Sequence, residues 1–257
     1  MSLQTDRPIG LLSPLAEERD ELLRHLTEVH HVSVGHLRVA TGRLDGQAVA
    51  LAESGVGKVA SAAIATMIAG TLQCRALVVC GVAGGIDPAL SIGDVVIADR
   101  LIQHDYGHLT DTGIRHFRPG VPPIGESRNR IAFDLPGELT MRLAAAVKDI
   151  VLRALPGDLG APANASPRIA FGPIVSGDQF INSEAVRMRL SRDHAALAVE
   201  MEGAAVAQAA ELLGIPCVVI RSLSDLAGAE SHLDFPRFLR AVAPSAAQVV
   251  ARVVSVL

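Results

Sequence analysis

Tryptophan is absent from the chain, tyrosine occurs once and phenylalanine six times, so it lacks the aromatic platforms on which single-stranded bases stack. Lys plus Arg total 23 against 27 Asp plus Glu, a net charge of −4, and no segment gathers the cations into a run. That excludes a surface for duplex nucleic acid. Any base the protein handles is expected in a closed pocket. Cysteine is scarce: Cys74, Cys80 and Cys217 are odd in number, sit in apolar runs and form no CxxC pair. Neither a disulfide framework nor a zinc knuckle is expected, and a reducing compartment is. The longest uncharged stretch, Val59 to Cys74, is 16 residues and contains Ser61, Thr66, Thr71 and Gln73, short of the ~18 apolar residues of a membrane span. The opening residues carry Asp6 and Arg7 and show no signal-peptide pattern. These features point to a soluble cytoplasmic protein with no membrane partner.

What is present is apolar and ordered. Hydrophobic residues make up 49% and charged residues 19% of the 257 positions, which excludes disordered, collagen-like and coiled-coil classes. A buried strand ends at Gly10–Ser13, followed by a helix with Leu15, Leu22, Leu26 and Val29 at helical spacing. Residues 31–40 and 47–53 alternate around Gly42–Gly46, predicting a hairpin. Ser54-Gly55-Val56-Gly57 opens an Ala-rich helix to about Leu72. Residues 76–80 form an apolar strand ended by Gly81-Val82-Ala83-Gly84-Gly85, and 95–103 form another. A loop rich in Pro and Gly runs from His104 to about Leu135. Helices are expected over 138–155, 184–190, 202–213 and 235–254, and strands over 169–176, 197–199 and 216–223. The alternation predicts one α/β domain over residues 1–257, built on a central mixed, largely parallel sheet flanked by helices.

Gly55-Val56-Gly57-Lys58-Val59-Ala60 fits the dinucleotide pattern GxGxxG/A, but the acid expected at the end of the next strand is replaced by Cys80-Gly81. A tight turn and close helix packing account for these glycines. His104, Asp105 and His108 lack a fourth ligand, and no metal site or cofactor is expected. The acids at strand ends carry more. Glu18, Glu200 with Glu202, and Asp225 each follow an apolar strand. The carboxyl ends of parallel strands share one edge, where ligands bind, so these carboxylates converge in one crevice or cap the helices that follow.

Glu17-Glu18, Ser54 to Lys58, Ala83-Gly84-Gly85, Val175 to Asp178 with Phe180-Ile181-Asn182, Val199 to Ala204, Arg221 with Ser224-Asp225, and Ser231-His232-Leu233 with Phe235 together resemble the bacterial 5′-methylthioadenosine/S-adenosylhomocysteine nucleosidases of the nucleoside phosphorylase superfamily. The resemblance runs in order along nearly the whole chain. It implies that Asp225, oriented by Ser224, protonates N7 of a departing purine and that Glu18 activates water. It further implies that Glu202 holds the ribose hydroxyls with Met201 packed on the ring. Phe180 stacks on adenine, the Phe180 and Ile181 backbone reads its edge, and Ala83 and Gly84 line the wall. Leu15, Val56 and Phe235 form an apolar end for the 5′-thioether. A cofactor-free homodimer is implied, with the 104–171 segment at the subunit contact. Val82 stands where the family commonly has serine. Phosphorylases of the superfamily carry an arginine-bearing loop after the first strand, where this chain has Glu17-Glu18, so water rather than phosphate is the expected nucleophile. A phosphorylase, or a nucleosidase for futalosine or another 5′-modified nucleoside, is the alternative.

Overall fold

The computed structural model describes residues 7–121, 131–155, 166–227 and 235–257, apart from the side chains of Phe235, Pro236 and Phe238. Strand β1 (Ile9–Ser13) is buried throughout and leads into α1 (Ala16–Leu23). Strands β2 (Thr27–Val34), β3 (Leu37–Leu44) and β4 (Gln47–Glu53) follow, then α2 (Lys58–Leu72), β5 (Ala76–Gly85) and β6 (Val95–Gln103). Beyond them lie β7 (His108–Thr110), β8 (Gly113–Arg115), β9 (Ala132–Asp134), α3 (Gly137–Val147), β10 (Ile169–Ser176), α4 (Glu184–His194), β11 (Ala198–Glu200), α5 (Gly203–Leu213), β12 (Cys217–Asp225) and α6 (Phe235–Val254).

The principal sheet has the order β11-β10-β6-β12-β5-β1-β4-β3-β2, with β9 paired to β6. β1 lies parallel between β4 and β5, and β5 lies parallel to β12. Apolar residues on both faces of these strands build two cores. Leu11, Val78, Cys80 and Ile220 pack with α1, α3 and α6, while Leu12, Leu77, Val79 and Val219 pack with α2 and α5. This is the continuous apolar pattern that a doubly covered parallel strand requires. No described helix is long and apolar enough to cross a membrane.

Five expectations change. The first helix ends at Leu23, so Leu26 lies beyond it and Val29, expected on it, belongs to β2. The predicted hairpin is a three-stranded meander: Gly35 (φ +59°) turns β2 into β3, and the tight turn between β3 and β4 is Asp45-Gly46, both at positive φ. Gly42 stays in the ladder, where a Cβ would come within 2.7 Å of the Thr27 carbonyl. The glycines after Cys80 do not end β5, which runs to Gly85 and pairs there with β11, antiparallel, through Val199↔Gly84 and Ala198↔Gly85. They permit close approach, because a Cβ at Gly84 would lie 3.0 Å from both Ala227 Cβ and Asp225 Oδ1. The helix predicted over 138–155 ends at Val147. The 104–135 loop holds the β7–β8 pair and β9, while residues 122–130 and 156–165 lie outside the described residues.

Candidate active site

The strand-end acids meet by two routes: Glu18 follows β1 and Asp225 ends β12, strands that run parallel with β5, while Glu200 and Glu202 end and follow β11, which runs antiparallel to β5 and pairs with its last residues, Gly84 and Gly85. Together they border a cavity of about 500 Å³ lined by Leu15, Glu18, Val56, Val82–Gly84, Gln179–Ile181, Val199–Glu202, Ser224 and Asp225 among others. That volume lies within the range of small-molecule sites. Among the described residues that line it there is no lysine or arginine.

Glu18 sits in the first turn of α1. Its Oε2 accepts the Leu15 N–H at 3.0 Å and its Oε1 accepts the Val82 N–H at 2.9 Å. The carboxylate therefore caps its own helix and also reaches β5, so both readings of the strand-end acids hold for this residue. Burial pushes its pKa from 4.5 up to about 7 against the opposing pull of Arg221 and the two backbone donors. Since Glu18 is held by the backbone of residue 82, valine satisfies that contact as well as serine would.

Arg221, on β12, is completely buried and ties the acids together. Its Nη2 donates to Glu200 and, at 3.0 Å, to Glu202 Oε2. Gly81 leaves room for it: a Cβ there would collide with Arg221 Nη1 and come within 2.9 Å of Glu18 Oε1. Three carboxyls around one guanidinium carry a formal charge of −2 if all ionise. Burial opposes that charge and pushes Glu202 up as well as Glu18. Among the described residues, Nε and Nη1 of Arg221 find no hydrogen-bond partner. The cluster is arranged to meet a positive charge and a polar ligand.

Glu200 itself faces away from solvent and acts on the backbone. Its carboxylate accepts the Glu202 N–H at 3.1 Å and the Gly203 N–H at 2.7 Å, and the Ser176 hydroxyl donates to it. Ser176 Oγ in turn accepts the Ala204 N–H at 2.8 Å. The N-terminus of α5 is thus capped by Glu200 and Ser176, which frees the Glu202 side chain for the cavity. Glu202 Oε1 accepts the Gly57 N–H at 2.9 Å. Gly57 has φ +96°, which explains the glycine by backbone geometry rather than by a dinucleotide.

Asp225 lines the same cavity. Ser224 Oγ donates to its Oδ2 at 3.0 Å, and its Oδ1 accepts the Ala227 N–H at 2.8 Å. Phe180 is 52% exposed at the cavity wall and Ile181 is buried. The structure therefore brings together Glu18, Ala83, Gly84, Phe180, Ile181, Met201, Glu202, Ser224 and Asp225, with Leu15 and Val56. The Phe235 side chain lies outside the described residues, as do Ser231 to Leu233. For Glu200 the capping reading of the strand-end acids holds. The part of Ser176 and the Gly57 donor were not foreseen. Of the histidine-aspartate group, Asp105 is bound to Lys58 at 2.6 Å.

Arg19, next to Glu18 in sequence, is not among the described residues that line the cavity. Its guanidinium contacts Asp20 at 2.7 Å and Glu53 at 2.8 Å.

Comparison with known proteins agrees with this geometry. A family profile described as the phosphorylase superfamily matches residues 8–255. A Mycobacterium bovis 5′-methylthioadenosine/S-adenosylhomocysteine nucleosidase is 41% identical over 249 residues, covering 97% of each chain. The solved Neisseria meningitidis 5′-methylthioadenosine/S-adenosylhomocysteine nucleosidase in complex with methylthio-immucillin-A superposes with a TM-score of 0.81 at 28% identity, over 98% of this chain and 100% of the other. The Helicobacter pylori futalosine hydrolase gives a TM-score of 0.81 at 27% identity, over 98% and 99%. With its acids converging on one strand-end cavity and both chains matched nearly end to end, the protein belongs to the 5′-methylthioadenosine/S-adenosylhomocysteine nucleosidase family of the phosphorylase superfamily.

Proposed function

We propose that this chain hydrolyses the N-glycosidic bond of 5′-methylthioadenosine and S-adenosylhomocysteine and releases adenine. The observation that carries the reading is that Asp225 and Glu18 line one cavity together with Glu202, with the buried Arg221 beside the two glutamates. As the C1′–N9 bond stretches, its electron pair moves onto the purine. Asp225, aligned by Ser224, supplies the proton at N7. The ribosyl group becomes cation-like, and the excess negative charge around Arg221 stabilises it. Glu18 takes a proton from the water that attacks C1′, and a carboxyl poised near pH 7 is suited to that exchange. Glu202 accepts hydrogen bonds from the ribose hydroxyls while Met201 packs on the ring. Phe180 stacks on the base, Ile181 lies at its edge, and Ala83 and Gly84 form the wall. Leu15 and Val56, with Phe235, receive the 5′-thioether.

Phosphate finds no cation on the cavity wall among the described residues, and Arg19 is bound to acids. A nearby carboxylate repels a dianion. Adenine release from 5′-methylthioadenosine is therefore expected at full rate in phosphate-free buffer, with the free thioribose as second product. A requirement for phosphate, with a ribose 1-phosphate ester as product, would sink the hydrolytic reading in favour of phosphorolysis. The equal structural match to futalosine hydrolase supports a second reading, a nucleosidase for another 5′-modified nucleoside; faster turnover of such a nucleoside in the same assay decides for it. Val59 and Leu212, 81% and 83% exposed on α2 and α5, support a homodimer through that face. Free Cys74, Cys80 and Cys217 fit a cytoplasmic location.

A further inference from the structure

Three segments meet beside the cavity: the turn before α2 and the loop after β10, which line it through Val56 and Gln179–Ile181, and the residues at the end of β6, which do not. Lys58 Nζ donates to Asp105 Oδ1 at 2.6 Å and to Gln103 Oε1 at 3.3 Å, and lies 3.9 Å from Asp178 Oδ2. Asp105 Oδ2 accepts the Asp178 N–H at 2.8 Å. Asp178 Oδ1 accepts the Lys58 N–H at 2.8 Å, which closes a ring of contacts. Burial pushes the Asp105 carboxyl up, but the donors from Lys58 and Asp178 outweigh it and hold the group below the ordinary carboxylate range.

Both ends of this ring lead to the cavity. Asp178 stands two residues before Phe180. Gly57, next to Lys58, donates its N–H to Glu202, and a Cβ at Gly57 would lie 3.2 Å from Asp178 Oδ1. We propose that Lys58, Asp105 and Asp178 are positioning residues that lock the Phe180–Ile181 loop to the Gly57 turn, so that one frame sets the base-stacking ring and the ribose carboxylate together. The proposal rests on the nucleosidase reading above, in which Phe180 meets adenine and Glu202 meets ribose. Two ionised groups joined through backbone donors hold a loop in one direction as well as at one distance. That is what a stacked base requires.

The test compares Asp178→Ala, Asp178→Asn and Lys58→Met with the wild type. KM and kcat are measured for 5′-methylthioadenosine, Kd for adenine by calorimetry, and Tm by thermal unfolding. Asp178→Ala removes the acceptor at the α2 N-terminus, and a misplaced loop is expected to raise KM and the adenine Kd by about 10- to 100-fold while kcat falls less. Asp178→Asn keeps an acceptor oxygen and should restore both to within about threefold, and Lys58→Met should lie between at roughly tenfold. If the alanine variant does not fold, Lys58→Met carries the same comparison. Variants with lowered Tm but wild-type KM and adenine affinity would overturn the positioning role and leave the nucleosidase reading intact. A wild type that neither binds nor releases adenine would overturn both.

Discussion

Replacing Glu18 with glutamine removes a charge that the fold holds at a cost, so the variant should lose activity and gain stability at the same time. The carboxyl moves from its ordinary 4.5 to about 7 on folding, chiefly through burial. At ~1.4 kcal/mol per pH unit, the ionised form at pH 8 destabilises the native state by about 3 kcal/mol relative to the protonated form. A group raised in the folded state contributes fully below its unfolded pKa and loses that contribution as pH rises through its folded pKa. The wild type therefore loses this stability between about pH 4.5 and 7. Glutamine does not titrate. It has one acceptor oxygen for the two N–H donors of Leu15 and Val82, which costs about 1 kcal/mol. The variant should fall slightly below the wild type at pH 4 and rise about 2 kcal/mol above it at pH 8. With about 2–4 °C per kcal/mol for a chain of this size, Tm should separate by several degrees at pH 8. Thermal unfolding from pH 4 to 8 reads the crossover. In parallel, wild-type kcat/KM should fall tenfold per pH unit below about pH 7 as Glu18 takes up its proton. The neighbouring Glu202 carboxyl is pushed up too, so the limb reports the cluster around Arg221. A stability difference independent of pH, or wild-type activity unchanged down to pH 5, would refute the reasoning.

Asp225→Asn still accepts hydrogen bonds from Ser224 and Ala227 but carries no proton for N7, so kcat should drop by ~10²- to 10⁴-fold with Tm little changed; near-normal turnover removes Asp225 from the mechanism. Gly81→Ala places a methyl against Arg221 Nη1 and within 2.9 Å of Glu18 Oε1, and displacing that pair should lower kcat/KM by about 100-fold in a protein that still unfolds cooperatively. Wild-type kinetics in this variant would show that the cluster tolerates rearrangement.

Much of the architecture was legible because its signals are local. The apolar runs 95–103 and 169–176 and the helix 235–254 match β6, β10 and α6 residue for residue, since a strand or helix covered by a core must be continuously or periodically apolar. The acids at strand ends were equally visible, and the parallel rule accounts for Glu18 and Asp225, whereas Glu200 and Glu202 reach the same cavity from β11, antiparallel to β5. Only the tertiary structure decided how they are used. Nothing near Cys80 in sequence shows that Gly84 and Gly85 pair with β11, because the partner strand is more than a hundred residues away and the glycines look like an ending. Likewise Glu200 and Glu202 are alike in sequence. The buried guanidinium of Arg221 takes one oxygen of each, while the α5 backbone and Ser176 claim Glu200 and the Gly57 N–H meets Glu202. The raised pKa of Glu18 belongs to the same class. It arises from burial, against the opposing pull of Arg221 on β12, and neither exists until the sheet has closed.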